Sequence, residues 1–406
     1  AMNKDKQAMG VLDIGSYHSK FIIFKIQDNK TQILSKFILK TEGIKRGVIS
    51  DLEKLTKSLK EIIGKAEDAA KLQIDKIFVS TSPINTFSLI FCQSKNIGGY
   101  EINEEKDVQF LINSGVSLFK DCYSNSKIVH LFNLNLRIDR NNIVENPVGL
   151  IADSLENDLH IIYSKKNTLK NFQKAIENSY LKSEQFIFSP YVLSLLSYAE
   201  SPLSDTILTL DFGHEKTSLG IFRNDNFIFA TSIPIGSWHI TNDISKALNL
   251  NFEIADSLKK NHSSCKILSS DLIHEYVESE NAGLKSYKKV SNNILNKIVY
   301  SRTEEIIDFI NKELAFFQKQ NQIFNKILIS GEGSKIKGFY DLLSDKIKIK
   351  YLSIEKFSSK LKNDLEDDYD VCISVINYIK NSYSKEIPSS TKENKSIFDK
   401  VLSLFN

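Results

Sequence analysis

The sequence predicts an α/β fold in which one local pattern is built twice. Residues 9–26 and 206–235 each open with a short apolar strand that ends in Asp and Gly, and alternating strands follow. Residues 326–339 add a strand that runs into a glycine-containing loop and a helical start. The two hairpins lie about 200 residues apart, which indicates an internal duplication.

The first hairpin carries a set of residues suited to a phosphate and its metal. Backbone N–H groups of a turn at Gly15 can approach a phosphate, and Asp13 can hold a hydrated Mg²⁺. Ser16 can donate through its backbone and hydroxyl, while Lys20 supplies a point charge. An ordinary hairpin with Asp at its turn is the alternative for either hairpin alone.

The second hairpin repeats the arrangement with Asp211 as the acid and Gly213, Lys216 and Thr217 in its turn. We expect strands over residues 218–222 and 227–235 to follow it. Two such hairpins that face each other could grip a triphosphate from both sides, with Asp13 and Asp211 as the metal-linked carboxylates. In the third stretch, Gly331, Gly333 and Ser334 would let an adenosine lie against the backbone.

The order of these three stretches resembles the nucleotide fold of the actin, Hsp70 and sugar-kinase superfamily. Four further stretches are similar to segments of the FtsA family of bacterial division proteins: EGIKRGVI (42–49), NPVGL (146–150), SIPIG (232–236) and ADSLK (255–259). The resemblance covers nearly the whole chain and implies an actin-like (ribonuclease H-like) duplicated fold with the 1C insert of that family. MreB, ParM and PilM are similar more remotely.

The resemblance also implies a division into subdomains. In chain order these are a disordered tail 1–8, subdomain 1A (9–81 and 157–200), subdomain 1C (82–156), subdomain 2A (201–237 and 298–380), subdomain 2B (238–297), a linker 381–394 and a membrane helix 395–406. Within 1A, residues 49–65 and 190–200 are expected to be helical. Subdomain 1C is either a decorative insert or, as the family implies, a surface for polymer contacts and other division proteins.

The partners implied by the resemblance are the C-terminal tail of FtsZ, further copies of the chain and the membrane surface. FtsA receives the acidic-apolar FtsZ tail in 2B, so an apolar groove with a basic rim is expected there. The rim candidates are Lys285, Lys288, Lys289, Lys297 and Arg302. A solvated helix face is the alternative for any one of these side chains.

The last twelve residues form a candidate membrane anchor. After a polar stretch without apolar period, one helical face collects six apolar residues, namely Ile397, Phe398, Val401, Leu402, Leu404 and Phe405. A helix of this length lies in a membrane surface and does not span it. Packing of this helix on its own domain is the alternative, and the polar linker favours the membrane.

Departures from the family pattern affect the expected chemistry. ATP with Mg²⁺ is the implied cofactor, yet His214 and Glu215 stand at glycine-like positions of the second phosphate loop, and Glu332 replaces a glycine of the adenosine loop. Side chains there crowd the backbone cradle, and carboxylates repel a triphosphate. We therefore expect a weak ATPase at most, with reduced ATP affinity, and no residue stands out as a catalytic base.

Composition limits the other possibilities. A net charge of +3 does not indicate nucleic-acid binding, and a 41% hydrophobic, 25% charged composition fits a globular protein. Four widely spaced cysteines without metal-ligand spacing are expected to be buried thiols in a reducing compartment, and no signal peptide or spanning segment is visible. The expected location is the inner face of the cell membrane at the division site. An actin-like filament ATPase outside division and a small-molecule kinase of this fold remain as alternatives.

Overall fold

The computed structural model describes residues 8–28, 30–45, 47–81, 86–201, 205–266, 273–281, 284–357, 367–381 and 383–387. Contacts within the chain divide it into two compact units. The first unit comprises residues 1–204, 220–232 and 369–406, and the second comprises residues 205–219 and 233–368.

The described residues of the first half of the chain form eleven strands and four α-helices. In order they are β1 (Met9–Ile14), β2 (His18–Gln27), β3 (Lys30–Lys40), β4 (Ile44–Lys45), β5 (Val48–Ile49), α1 (Leu52–Ala70), β6 (Lys76–Ser80), β7 (Thr86–Glu101), α2 (Gln109–Cys122), β8 (Ser126–Ile138), β9 (Asn142–Ile143), β10 (Ile151–Lys165), α3 (Lys166–Glu177), β11 (Lys182–Ile187) and α4 (Ser189–Ala199). A π-helical turn, Glu104–Val108, precedes α2.

The remainder of the described chain contains seven strands and six α-helices. They are β12 (Thr206–Phe212), β13 (Thr217–Arg223), β14 (Asn226–Ile233), α5 (Ser237–Leu248), α6 (Phe252–His262), β15 (Ile273–Asn281), β16 (Leu284–Ser291), α7 (Asn292–Glu313), α8 (Ala315–Lys319), β17 (Ile323–Ser330), α9 (Phe339–Lys346), β18 (Lys350–Lys356) and α10 (Asp370–Lys380). Two 3₁₀ turns, Glu332–Lys335 and Asp367–Tyr369, precede α9 and α10.

The two main sheets have the same strand order, which confirms the predicted duplication. The first runs β11-β6-β1-β2-β3 and the second runs β18-β17-β12-β13-β14. β1 pairs antiparallel with β2 and parallel with β6, and β12 pairs parallel with β17. The predicted hairpins therefore occupy equivalent positions in their sheets.

The helix after the first hairpin begins later than the sequence pattern suggests. Val48 and Ile49 pair with β4, and Asp51 caps α1 by accepting a hydrogen bond from the backbone N–H of Lys54 at 3.0 Å. The helix therefore starts at Leu52 and not at residue 49. Its buried face, which packs into the core of the first unit, consists of Leu55, Leu59, Ile62, Ile63 and Ala66.

An insert with its own sheet and core follows β6. Its strands lie in the order β7-β10-β8-β9, and α2 packs on them. The approach of α2 is so close that a Cβ on Gly115 would lie 2.6 Å from Leu159 Cδ2. The boundary expected at residue 156 falls inside β10, because that strand continues to Lys165 and pairs along its length with β7 and β8.

The C-terminal segment differs from the expected boundaries and linker. α10 packs on α4 and β1 of the first unit, although residues 298–380 were expected to belong with the second half. Residues 383–387 fall in the stretch expected to be a linker, yet they lie against β8. Asn133 N–H donates to Lys385 O and Ile387 N–H donates to Leu131 O, both at 2.8 Å.

One buried carboxylate fixes this segment. Glu386 accepts hydrogen bonds from His130 Nδ1 at 2.7 Å, Tyr191 OH at 2.8 Å and Tyr378 OH at 3.1 Å. Phe188 N–H donates to His130 Nε2 at 3.0 Å. Because an N–H group can only donate, Nε2 is the acceptor and Nδ1 carries the proton that reaches Glu386.

Two smaller expectations were also wrong. Ala8, placed in the disordered tail, packs against the core of the first unit because β1 follows it directly. Cys92 and Cys122 are exposed, since they lie on solvent-facing positions of β7 and α2, whereas Cys265 and Cys372 are buried.

We predict that Glu386→Ala lowers the free energy of unfolding by about 2 kcal/mol or more. Removal of the carboxylate leaves buried donors without an acceptor, and each such group costs about 1–3 kcal/mol. Urea denaturation measures the change, and Glu145→Ala on an exposed loop is the control. Equal stability of the two variants would show that the carboxylate does not hold the segment.

We also predict that His160 makes the stability depend on pH. Burial, together with the nearby His130, lowers the pKa of His160 to about 4 from 6.5. The unfolded chain therefore binds the proton more readily. The contribution of neutral His160 to the free energy of unfolding is fully present above pH 6.5 and is lost as the pH falls from 6.5 to 4, by up to about 3 kcal/mol. Urea unfolding at pH 7.0, 5.5 and 4.5 should show the gap between wild type and His160→Gln narrowing as the pH falls. A gap that stays constant would contradict the assignment.

Candidate functional site

The first hairpin closes through a backbone hydrogen bond at its glycine. Gly15 N–H donates to His18 O at 3.1 Å, and a Cβ on Gly15 would lie only 2.5 Å from that oxygen. Asp13 stands directly opposite Lys20 across the two strands, with 3.8 Å between Lys20 Nζ and Asp13 Oδ2. Ser16 is partly exposed in the turn. The structure thus brings all four predicted residues of this hairpin together.

The second hairpin closes in the same way. Gly213 N–H donates to Lys216 O at 2.9 Å, and a Cβ on Gly213 would lie 2.9 Å from that oxygen. The acids also have equivalent neighbours, because Asp13 pairs with Ser80 of β6 and Asp211 pairs with Ser330 of β17. The two Asp–Gly turns are therefore the same local structure formed from different sequences.

Ser80 is a residue that the sequence reasoning missed. Its hydroxyl is buried and has no hydrogen-bond partner within the part of the chain that the structure describes. Directly opposed residues of parallel strands point to the same face of a sheet, so Ser80 faces the same side as Asp13. A water molecule or a hydrated ion beside Asp13 would satisfy this hydroxyl.

The third stretch lies against the end of β12. Gly331 has a φ of +92°, and a Cβ there would lie 2.4 Å from Phe212 O and 2.6 Å from Asp211 Oδ1. At Gly333, an added Cβ would lie 2.6 Å from the Phe212 ring. Ser334 donates its hydroxyl proton to Gly331 O at 2.7 Å and closes the turn. Packing against β12 is therefore sufficient to require both glycines.

The side chain of Thr217 is not on the surface of its loop. It is fully buried, and its hydroxyl donates to Ile235 O at 2.8 Å. The loop is also held from behind by the start of α5, where Ser237 N–H donates to Gly213 O at 3.0 Å and Trp238 N–H donates to His214 O at 2.7 Å. These contacts fix the loop and occupy the first N–H groups of α5.

A buried charged group stands beside this loop. Lys259 of α6 is 4% exposed, and its Nζ donates to Asp256 Oδ1 at 2.8 Å, Thr241 Oγ1 at 2.7 Å and Ser237 O at 3.3 Å. Lys260 binds the other oxygen of Asp256 at 2.7 Å. An acidic residue that is followed by lysines three and four positions later in a helix predicts such ion pairs. The sequence pattern does not show, however, that Lys259 is buried.

These charges act on the loop residue His214. Burial and the charge of Lys259 lower the pKa of His214 to about 4, while Glu332 and Asp256 act in the opposite direction. Burial raises the pKa of Asp256, but hydrogen bonds and charges from Lys259 and Lys260 outweigh it and bring the value to about 2. At neutral pH, His214 is therefore uncharged and contributes bulk without positive charge.

The predicted rim residues lie on two consecutive elements. Lys297 and Arg302 of α7 line an open depression together with Asp243, Ile298, Ser301 and Glu305. Arg302 is bound to Asp243 at 2.5 Å and to Glu305, so much of its charge is neutralised. Lys285, Lys288 and Lys289 lie on β16. In its pairing with β15, Glu280 is opposite Lys285 and Glu275 is opposite Lys289.

The remaining observations concern the membrane and metal ions. The six apolar residues of the candidate anchor, from Ile397 to Phe405, lie outside the described residues. No helix among the described residues has the length and apolar character needed to cross a membrane. In the same part of the chain, no group of three or more His, Cys, Asp or Glu residues could hold a metal ion.

ATP with Mg²⁺ fits the two hairpins to different degrees. The first offers a carboxylate, a lysine, a closed glycine turn and the unpaired hydroxyl of Ser80. Asp211 offers a second carboxylate at the equivalent position, but its loop carries the side chain of His214, and Glu332 lies close enough to His214 to influence its pKa. A hydrated Mg²⁺ needs only one or two protein carboxylates, so the single carboxylate of either hairpin, Asp13 or Asp211, suffices as a donor.

Comparison with protein families finds two matches. Residues 208–396 match the model of cell division protein FtsA, and residues 90–163 match that of the SHS2 domain inserted in FtsA. The second match covers most of the insert, including β10 almost to its end, and therefore agrees with the sheet pairing. Together the two matches span 263 of the 406 residues, 74 in the insert and 189 beyond it.

Curated proteins and solved structures extend the comparison. The chain is 22% identical over 350 residues to cell division protein FtsA of Agrobacterium fabrum, with 83% of this chain and 78% of the relative covered. It is 25% identical over 402 residues to FtsA of Buchnera aphidicola subsp. Schizaphis graminum, with 94% and 93% covered.

Three solved structures share the fold. A chain of the PilM–PilN type IV pilus biogenesis complex has a TM-score of 0.64 at 13% identity, with 92% of this chain and 98% of that chain covered. MreB5 of Spiroplasma citri bound to ADP has 0.53 at 12% identity, covering 93% and 98%. The MamK double helical filament has 0.54 at 10% identity, covering 92% and 99%. The fold is actin-like, as expected from the sequence, and the chain belongs to the FtsA family of cell division proteins.

Proposed function

We propose that this chain binds ATP with Mg²⁺, assembles into filaments on the inner face of the cell membrane and tethers FtsZ there through the C-terminal tail of FtsZ. The observation that carries the proposal is the pair of equivalent Asp–Gly turns, each with an acid next to a serine of the neighbouring parallel strand. Each acid stands at the end of a strand, where a carboxylate can hold a hydrated Mg²⁺ beside a phosphate.

The nucleotide would use the three stretches named above. The first hairpin contributes Asp13, Gly15, Ser16 and Lys20, and its Lys20 lies close enough to Asp13 to share a phosphate or its metal. Asp211, Gly213 and Lys216 contribute from the second turn, and the loop of Gly331, Gly333 and Ser334, which packs on Phe212, would lie along the nucleoside. MreB5, which has the same fold, was solved with ADP, and this supports a nucleotide as the ligand.

Slow or absent hydrolysis is part of the proposal. His214, neutral at pH 7, and the carboxylates of Glu215 and Glu332 surround the second turn, where a triphosphate would need positive charge or bare backbone. Thr217 cannot assist, because its hydroxyl is buried and bound to Ile235 O. The protein would then act as a nucleotide-dependent scaffold with at most weak ATPase activity.

We predict that the purified protein retains labelled ATP weakly and releases little ADP. Asp13→Asn should reduce retention at least tenfold, because it removes the carboxylate that we assign to the hydrated metal. His214→Gly should increase retention, since it clears the loop beside Asp211. Equilibrium dialysis with labelled ATP and Mg²⁺ measures binding, and thin-layer chromatography measures turnover.

Asp345→Asn is the matched control, because the side chain of Asp345 is 72% exposed and lies on α9. Tight retention with rapid turnover in the wild type would defeat the proposal of a weak ATPase. Equal retention by the Asp13 and Asp345 variants would remove Asp13 from the site.

Contacts between copies and with other division proteins are assigned to the insert. Ten of the sixteen large apolar side chains that are exposed among the described residues lie between Phe87 and Ile151. Tyr100, Ile143 and Ile151 are each at least 70% exposed. Such a concentration is typical of a protein-binding surface, and MamK shows that the fold supports filaments.

The FtsZ tail is assigned to the depression on α7. Lys297 is exposed there, and Ile298 offers an apolar contact between the charged groups. Asp243 and Glu305 compete with an acidic tail for Arg302, so this binding should be weaker than at a purely basic rim.

The last twelve residues are assigned to the membrane. Their six apolar side chains contribute about 1.5 kcal/mol each on burial, and ordering the helix costs roughly 1 kcal/mol per residue. The balance is small, so a single tail binds weakly and reversibly. A filament that presents many tails binds firmly through effective concentration, which couples assembly to attachment.

We predict that deletion of residues 395–406 abolishes sedimentation with liposomes, because it removes this apolar face. FtsZ should sediment with liposomes in the presence of the full chain and remain in the supernatant with the truncated one. Substitution of Val401 by Thr is the milder variant and should lower binding without abolishing it. Undiminished sedimentation of the truncated chain would exclude the anchor, and its loss together with unchanged FtsZ recruitment would exclude the tether.

A further inference from the structure

Four lysines of the first unit form a basic patch, which we define as Lys127, Lys166, Lys170 and Lys174. The last three lie on one line along α3 at spacings of four residues, opposite the buried face formed by Leu169, Phe172 and Ile176. Lys166, Lys170 and Lys174 are exposed. Within the described part of the chain, none of the four has an acidic side chain as a salt-bridge partner.

The first of these lysines joins the line on α3 through the strand pairing. Lys127 lies opposite Ser164 at the end of β10, two residues before α3 begins, and Lys166 N–H donates to Asn125 O at 2.9 Å. The pKa of Lys127 is lowered by partial burial and by the positive charges of Lys166 and Lys170. These side chains therefore repel one another, and an anion would relieve the repulsion.

The C-terminal segment points toward this patch. Lys385 O accepts from Asn133 N–H and Ile387 N–H donates to Leu131 O, so the segment runs antiparallel to β8. Residues 385–387 therefore run toward the beginning of β8, where Lys127 lies. Ile387 is itself buried in the core of the insert with Ile128 and Leu131, and Glu386 holds it there.

The length of the chain that follows limits the distance to the lipid. Seven residues, 388–394, separate Ile387 from the candidate anchor. Fully extended, they span at most about 25 Å. Leu131 lies four residue steps from Lys127 along the strand, which is about 13 Å. The distance from Leu131 to Lys127 is therefore shorter than the extended length of residues 388–394, and Lys127 lies at the end of β8 toward which residues 385–387 run.

We propose that this patch is a second membrane contact that binds the headgroups of anionic lipids next to the anchor. The inference rests on the proposed membrane attachment through residues 395–406. The fixed exit at Ile387 and the short connection favour a lipid surface as the occupant, because they bring one close without any further partner. Together the two contacts set the orientation of the first unit on the membrane, which a single flexible tail cannot do.

The test uses the full chain and vesicles of two compositions. We compare sedimentation with phosphatidylcholine vesicles and with vesicles containing phosphatidylglycerol, for wild type, K166E/K170E and K166Q/K170Q. Each lysine near an anionic surface raises the partition coefficient onto that surface roughly fivefold. The charge reversal should therefore weaken binding to the anionic vesicles tenfold or more, the neutral variant less, and added salt should reduce the difference. Binding to phosphatidylcholine should not change.

A matched control is K57E/K319E, which reverses two exposed lysines on α1 and α8. An equal loss in the control and in K166E/K170E would overturn the proposal, because only net charge would then matter. An equal loss on both kinds of vesicle would overturn it as well. The truncated chain, which lacks residues 395–406, separates the two hypotheses. If it binds anionic vesicles as well as the full chain does, the anchor hypothesis is wrong. If only the full chain binds, but K166E/K170E binds as well as wild type, the anchor stands and only the lysine patch is rejected as a membrane contact. Binding of a fluorescent polyglutamate peptide that K166E/K170E abolishes, with unchanged vesicle binding, would assign the patch to an acidic protein instead.

Discussion

The carboxylate of Glu386 connects three parts of the first unit through one buried group. It accepts hydrogen bonds from the insert at His130, from α4 at Tyr191 and from α10 at Tyr378. A buried carboxylate is tolerated only when its oxygens are satisfied, so the three donors and the segment that carries the acid must be in place together. This requirement converts a polar stretch near the C-terminus into a fixed point of the fold, and it determines where the remaining chain leaves.

The two Asp–Gly turns impose a second constraint, which acts within each unit separately. Both close by a glycine N–H bond to a carbonyl three residues later, and the space beside each glycine is too small for a side chain. The first turn leaves its acid and lysine partly open. The second is surrounded by α5 and the buried Lys259, and its partner loop packs directly on Asp211 and Phe212. Duplication has therefore preserved the backbone of the turn while its surroundings diverged.

Much of the fold could be predicted from local pattern. The two hairpins and the helix α4 occur close to the predicted residues, because alternation and helical period report which faces are buried. The errors concern positions where distant residues decide. Residues 383–387 look like a linker because Tyr383, Glu386 and Ile387 have no periodic neighbours. Apart from Tyr378, their hydrogen-bond partners outside the segment are 156 to 256 positions away.

The candidate site, too, could be predicted from the sequence only in part. From the sequence alone came the Asp–Gly turns, the glycines of the third stretch and the family, since short motifs with required residue types survive divergence. The tertiary structure decided which of those residues are available. Thr217 is turned inward to Ile235, Lys259 is buried beside His214, and Ser80 lies next to Asp13 across a parallel pair. Such relations depend on strand register and on helix packing between residues far apart in the chain, and no local pattern encodes them.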